Sequence, residues 1–251
     1  MTATTHAGVT HPGLGLFVRK LERLGPLADE DRRALEALPL RVRRVDADRD
    51  LVREGDRPSH CLLLLDGFAC RYKTLEDGRR QIVSFHIAGD IMDLSGLLLG
   101  RMDHGIAALT PVEVAPVPSA TVLDWVERHP GLNRLLWRDA LIDASIFREW
   151  VLNVGRRSAR ERVAHVVCEL VARSLSAGLV PDYRCELPVT RADLADATGL
   201  TVVHANRVVQ EMQAEGLIEV RGRTLAVVDW RGLTRAAGFD PAYLHPFAAA
   251  A

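Results

Sequence analysis

Val203, Asn206, Arg207 and Gln210 recur along one side of the stretch DATGLTVVHANRVVQEMQAEGLI, residues 196–218, if it is helical. Ala205, Val208, Val209 and Met212 take the other side, with the spacing of a stripe buried against a neighbouring helix. The first set needs a partner. A guanidinium such as that of Arg207 offers two parallel N–H donors to O6 and N7 of guanine, and the amides of Asn206 and Gln210 match adenine or touch phosphate. Val202 and Val203 supply methyl groups that suit thymine methyls, and His204 lies to the side, in reach of a phosphate or a base. This is the chemistry of reading double-stranded DNA, and it requires elements that carry the helix into a groove.

Those elements are written upstream and downstream. Thr190-Arg-Ala-Asp193 is a capping signature opening a helix that holds Leu194 and Ala195 and ends near Thr198. Gly199 then turns the chain, and Thr201 can cap the next helix. A small residue, Ala195, falls where two such helices cross, which is the pattern of a helix-turn-helix. GLIEVRGRTLAVVD reads as two strands around Arg221-Gly222-Arg223, a wing. Thr190, Arg191, Thr201, His204, Arg221 and Arg223 are therefore the expected phosphate neighbours.

Further upstream, Ser158-Ala-Arg-Glu161 is a capping box for a helix to about Ser174. Before it, Leu136, Ala140, Ala144, Phe147, Val151 and Val154 form one apolar row after Pro130, and Leu132, Leu135, Ile142, Ile146 and Trp150 form a second. The two rows predict a helix of roughly 25 residues with two apolar sides. One side can cover a β-roll while the other meets a second copy of the chain; a single buried helix in a monomer is the alternative. Gly155 interrupts the pattern and is the expected hinge. From about Val42 to Val117, glycines in REGD, LDGF, EDGR and AGD separate strand-length runs such as CLLLL and QIVSFHI, which predicts an antiparallel β-roll. The fold class is thus α+β: roll, long helix, winged helix-turn-helix.

Composition narrows the function classes. The 251 residues are 48% hydrophobic and 26% charged, an ordinary globular balance, and no run reaches the roughly 18 apolar residues of a membrane helix. The expectation is a cytoplasmic protein without a membrane partner. A formal net charge of −1 means that any nucleic-acid site is a local patch. Cys61, Cys70, Cys168 and Cys185 are far apart, so neither a zinc site nor an iron–sulfur cluster is expected, and no cofactor or metal is assigned. No GxxxxGK, HExxH or GxSxG motif is present, which argues against the enzymes that use them.

The order of glycine-laddered roll, long helix and TRADLADATGLTVVHANRVVQEMQAEGLI with a wing resembles the Crp/Fnr family of bacterial transcription regulators over roughly residues 17–235. The resemblance implies an N-terminal arm (1–16), a cyclic-nucleotide-binding-like roll (17–128), a dimerisation helix with hinge (129–156), a winged helix-turn-helix (157–235) and a tail (236–251). It also implies a homodimer on palindromic promoter DNA, working with RNA polymerase. In the family's cyclic-nucleotide binders, a Gly-Glu pair follows the last Gly-Asp of the roll, and an Arg-Ser or Arg-Thr pair about ten residues later holds the phosphate. Here Gly89-Asp90 is followed by Asp93-Leu94-Ser95-Gly96 and LLLGRMDHGIAALT, and Asp93 would set negative charge against a phosphate. Cyclic AMP is therefore not the expected effector. Asp93, Arg101 and His104 mark a candidate pocket for an unidentified small molecule. A cyclic-nucleotide- or redox-responsive regulator, the latter through Cys61 or Cys70, and an interaction module without DNA binding are the other readings.

Overall fold

The computed structural model describes residues 4–5, 11–183 and 185–245. In chain order the elements are β1 (Thr4–Thr5), α1 (Pro12–Leu24), α2 (Asp29–Glu36), β2 (Arg41–Val45), β3 (Asp50–Val52), β4 (His60–Asp66), β5 (Ala69–Thr74), β6 (Arg80–His86) and α3 (Leu94–Leu99). They continue with β7 (Gly105–Ala108), β8 (Val112–Pro118), α4 (Ser119–Arg128), α5 (Pro130–Arg156), α6 (Ala159–Ala177), β9 (Glu186–Leu187), α7 (Arg191–Thr198) and α8 (Val202–Ala214). The chain closes with β10 (Ile218–Arg221), β11 (Thr224–Val227), α9 (Trp230–Ala237) and a 3-10 turn at Pro241–Leu244.

Two compact units result. Among the described residues, the first takes the chain up to Arg71 and returns for Phe85–Asp143; the second combines Tyr72–Ser84 with residues 144–245. In the roll, the sheets run β1-β2-β8-β4 and β3-β7-β5-β6. Strand β4 pairs antiparallel with β8, with a register shift between Leu64 and Asp66. Its continuous CLLLL run follows from burial on both faces: Leu63 and Leu65 pack with Phe17, Leu21 and Trp125, while Leu62 and Leu64 pack with Met92, Met102 and Ile106. Each fully buried leucine stabilises the roll by about 1.5–3 kcal/mol. Helix α1 comes so close that a Cβ on Gly13 would lie 2.2 Å from the Leu65 carbonyl oxygen, so glycine is required there.

Three boundaries differ from the expectation. Helix α1 starts at Pro12, ahead of residue 17, because Pro12 suits a first helical turn and His11 Nδ1 accepts the Gly13 N–H at 3.1 Å. Helix α5 does not stop at Gly155 but runs through it to Arg156. The break comes at Arg157–Ser158, where Glu161 N donates to Ser158 Oγ at 3.3 Å and Ser158 N to Glu161 Oε2 at 2.7 Å. Beyond residue 235, the described residues fold onto α6: Tyr243 Oη donates to Glu169 Oε2 at 2.7 Å, and His165 stacks with the Tyr243 ring. Trp150 Nε1 donates to both oxygens of the same buried Glu169, at 3.2 and 3.0 Å.

Candidate nucleic-acid interface

Local sequence sets every joint of the reader. In α7, Thr190 Oγ1 accepts from Asp193 N at 3.1 Å, and Asp193 Oδ2 accepts from Thr190 N at 2.9 Å. Gly199 ends the helix at φ +67°, a left-handed turn that disfavours any side chain. Thr201 then caps α8 by accepting the His204 N–H at 3.2 Å. Ala205, Val208, Val209 and Met212 are buried, as the periodicity predicts.

The opposite side of α8 is open. Val203 is 80% exposed and Val202 48%, and Arg207 and Gln210 face solvent beside them. Asn206 and His204 are half-buried at the margins of this face. The structure thus gathers Val202, Val203, Arg207 and Gln210 at one surface. Arg207 Nε lies 3.9 Å from Glu211 Oε1 with both side chains exposed, an ion pair of small energy that a stronger anion can displace.

The phosphate candidates divide. Arg191 is half-buried in the first turn of α7, with its Nε shielded and unpartnered. Thr201 keeps its hydroxyl proton for donation. Thr190 does not: its hydroxyl also donates to Asp193 Oδ2 at 2.6 Å, so the cap absorbs it. On the wing, Arg223 is exposed at the turn, and the guanidinium of Arg221 forks onto Glu219 at 3.0 and 2.9 Å. Sequence reasoning missed the brace behind the reader. Arg80 Nε donates to Asp196 Oδ2 at 2.8 Å and lies 3.5 Å from Asp193 through Nη2, and Gln81 Nε2 donates to the Ala197 carbonyl at 3.2 Å. Arg162 Nη1 reaches the Thr198 carbonyl at 3.2 Å from α6, and Arg160 pairs with Glu215 at the far end of α8.

The roll treats its charged groups differently. Arg71 is 6% exposed; its Nε donates to the Met92 carbonyl at 2.9 Å and its Nη1 pairs with Asp143 on α5. Around it, burial and the Arg71 charge push His86 down to about 4 and lower His104. Burial pushes Asp93 up to about 6, although Leu62 N donates to it at 2.6 Å. Asp93 and His104 therefore share the field of Arg71, a residue the sequence pattern gave no reason to single out. Arg101 does not join them; it is exposed, with its guanidinium against the Gly55 turn. Asp90 is structural, bonding the Ile87 N–H at 3.1 Å and Lys20 Nζ at 2.9 Å. All four cysteines are buried thiols, and burial pushes Cys61 up to about 12, far from thiolate reactivity. Among the described residues, no three His, Cys, Asp or Glu side chains gather to hold a metal ion, and no helix is long and apolar enough to cross a membrane.

Comparison with known proteins agrees with this geometry. Residues 161–236 match the Crp-like helix-turn-helix domain, and residues 42–129 match the cyclic nucleotide-binding domain. The nitrogen fixation regulation protein FixK of Bradyrhizobium diazoefficiens is 32% identical over 170 residues, which is 66% of this chain and 69% of FixK. The transcriptional activator protein FnrL of Cereibacter sphaeroides is 27% identical over 202 residues, 79% of this chain and 81% of FnrL. The solved structure of FixK2 from Bradyrhizobium japonicum superposes with a TM-score of 0.69 at 22% identity, covering 81% of this chain and all of that one.

Proposed function

Because the chain belongs to the Crp/Fnr family of DNA-binding transcription regulators, we propose that it reads two-fold symmetric promoter DNA as a homodimer and acts there with RNA polymerase, in the cytoplasm. The observation that carries this reading is the open face of α8. Val202, Val203, Arg207 and Gln210 meet base edges, with Asn206 at the margin; Thr201 and His204 hydrogen-bond phosphates, and Arg191, Arg223 and, after leaving Glu219, Arg221 neutralise them. Thr190 supports them by fixing the first turn of α7. The action is binding and positioning rather than chemical conversion.

A second copy accounts for the outer side of α5. Trp137, Leu141, Val151 and Leu152 are 60%, 61%, 70% and 46% exposed. Trp137, Leu141, Ala144, Arg148, Val151 and Gly155 follow steps of four, three, four, three and four, the seam of a two-stranded coiled coil. A symmetric pair joined along it can present two α8 helices to half-sites about 34–36 Å apart. Gly155, exposed in the last turn of α5 with open space around its Cα, and the break at Arg157–Ser158 together provide the hinge.

Cyclic AMP does not fit the roll as its signal. Asp93 is buried in the roll, and the Arg71 charge beside it is already taken by Asp143. The test is selection of bound sequences from a random DNA pool by the full chain, with and without cyclic AMP. A two-fold symmetric motif in both arms is the expected result; absence of any enriched motif sinks the proposal, and a motif that needs cyclic AMP sinks the effector reading.

A further inference from the structure

The first helix of the reader carries the wrong charge for its task. Across residues 190–198, TRADLADAT sets one arginine against two aspartates, so this stretch by itself is anionic at a surface proposed to meet phosphates. Asp193 is committed to the cap with Thr190, and Asp196 turns its Oδ2 outward to Arg80.

The missing positive charge comes from the β5–β6 hairpin, 116 residues ahead of Asp196. Arg80 Nε donates to Asp196 Oδ2 at 2.8 Å, and its Nη2 lies 3.5 Å from Asp193 Oδ1. One guanidinium thus answers both carboxylates. Three features hold it there. Its Cζ sits 5.6 Å from the centre of the Tyr72 ring on β5, a cation–π contact. Beside it, Gln81 Nε2 donates to the Ala197 carbonyl at 3.2 Å, taking one of the acceptors that a helix leaves unpaired in its last turn. The Glu76-Asp-Gly-Arg79 turn closes the hairpin, with Leu75 N donating to Arg79 O at 2.9 Å and Gly78 at φ +85°. The side chains of Arg80 and Asp196 are 33% and 29% exposed and that of Asp193 8%, so the group is partly shielded from salt.

We propose that Arg80 is a positioning residue for DNA binding, acting through α7 rather than by touching DNA itself. It cancels the charge of Asp193 and Asp196, which lets Arg191 in the same first turn meet a phosphate. A shift of the hairpin away from α7 would bare two negative charges beside Arg191, so the hairpin is a place where the roll can set DNA affinity. This role rests on the DNA-binding reading above.

Fluorescence anisotropy with the full chain, on one duplex carrying the selected motif and one of random sequence, tests the role. Arg80→Ala is expected to weaken both duplexes by a similar factor, about tenfold at about 0.05 M salt and less at about 0.2 M, because repulsion of phosphates is blind to sequence and is screened. Arg80→Lys is expected to keep most of the affinity, and Asp196→Asn added to Arg80→Ala to recover most of the loss. A hairpin that merely kept α8 in place would respond otherwise: the motif would suffer more than random DNA, and Asp196→Asn would not help. Unchanged affinity in Arg80→Ala, or a loss that Asp196→Asn leaves in place, overturns the role of Arg80 while the parent chain still binds the motif. A parent chain that binds neither duplex overturns the DNA-binding reading, and this role with it.

Discussion

The reader turns Arg207 to solvent with a single loose partner 3.9 Å away, whereas the roll buries Arg71 to 6% exposure and ties it to Asp143 and the Met92 carbonyl. Both residues are arginines, one on the open face of α8 and one buried in β5, yet they serve opposite ends. A weakly paired, hydrated guanidinium loses little when it exchanges its partner for a phosphate or a base edge. A buried one is defined by its partner, since removing that partner strands a charge away from water. The difference shows how one residue type can be left available to a partner in one place and fixed as structure in another.

The largest effect that can break this comparison is at the buried pair. Asp143→Ala removes the carboxylate that Arg71 grips while leaving Asp93 and the Met92 carbonyl beside it, and is expected to cost about 1.5–3 kcal/mol, read by urea denaturation of the roll signal. A loss below 1 kcal/mol would mean that water reaches Arg71 and that the two arginines do not differ in kind. Next comes pH. His86 stays neutral in the folded roll down to about 4 while its unfolded value is 6.5, so its contribution is complete above pH 6.5 and is lost as pH falls toward 4. Asp90 and Asp143 face it and moderate the loss, and Asp93 works in the other direction, gaining stability as it protonates below about 6. His86→Gln should therefore flatten the acid side of the stability curve, by up to about 3 kcal/mol at pH 4 relative to the parent.

The reader should answer differently. Arg207→Ala is expected to leave the melting temperature nearly unchanged and to weaken cognate DNA by about 1–3 kcal/mol per half-site, relaxing preference at one base pair. Equal loss on all sequences would move Arg207 from base reading to phosphate. The smallest effect falls on the wing. Arg221→Ala should cost little affinity, because Arg221 must first leave Glu219, and titrations at several salt concentrations resolve the loss of about one phosphate contact.

Legibility in the sequence followed the range of the interaction. The helix-turn-helix could be read because its signals are local: Thr190 with Asp193, Gly199, Thr201, and a stripe ending at Met212 all act within a turn or two. The pairs that brace it and fill the roll could not, since Arg80 and Asp196 are 116 residues apart, Tyr243 and Glu169 are 74, and Arg71 and Asp143 are 72. Nothing in the pattern around Arg71 distinguishes it from Arg79, which is exposed in the hairpin turn. Gly155 misled for an energetic reason: one glycine costs a helix only about 1 kcal/mol, and the favourable N-cap at Ser158 decided where the chain breaks. Trp137 and Leu141 were passed over because the rows chosen from periodicity began on the side that packs into the roll, where Leu132 and Leu136 are buried.

The hairpin that carries Arg80 and Gln81 has a consequence for how the chain is made. At roughly 5–20 residues per second, it leaves the ribosome on the order of ten seconds before Asp196 is synthesised. The reader is therefore not a portable C-terminal piece. A fragment beginning at Ala144 would carry the whole open face of α8, yet Asp193 and Asp196 would have lost the arginine that neutralises them, leaving uncompensated negative charge beside the surface proposed to meet phosphates.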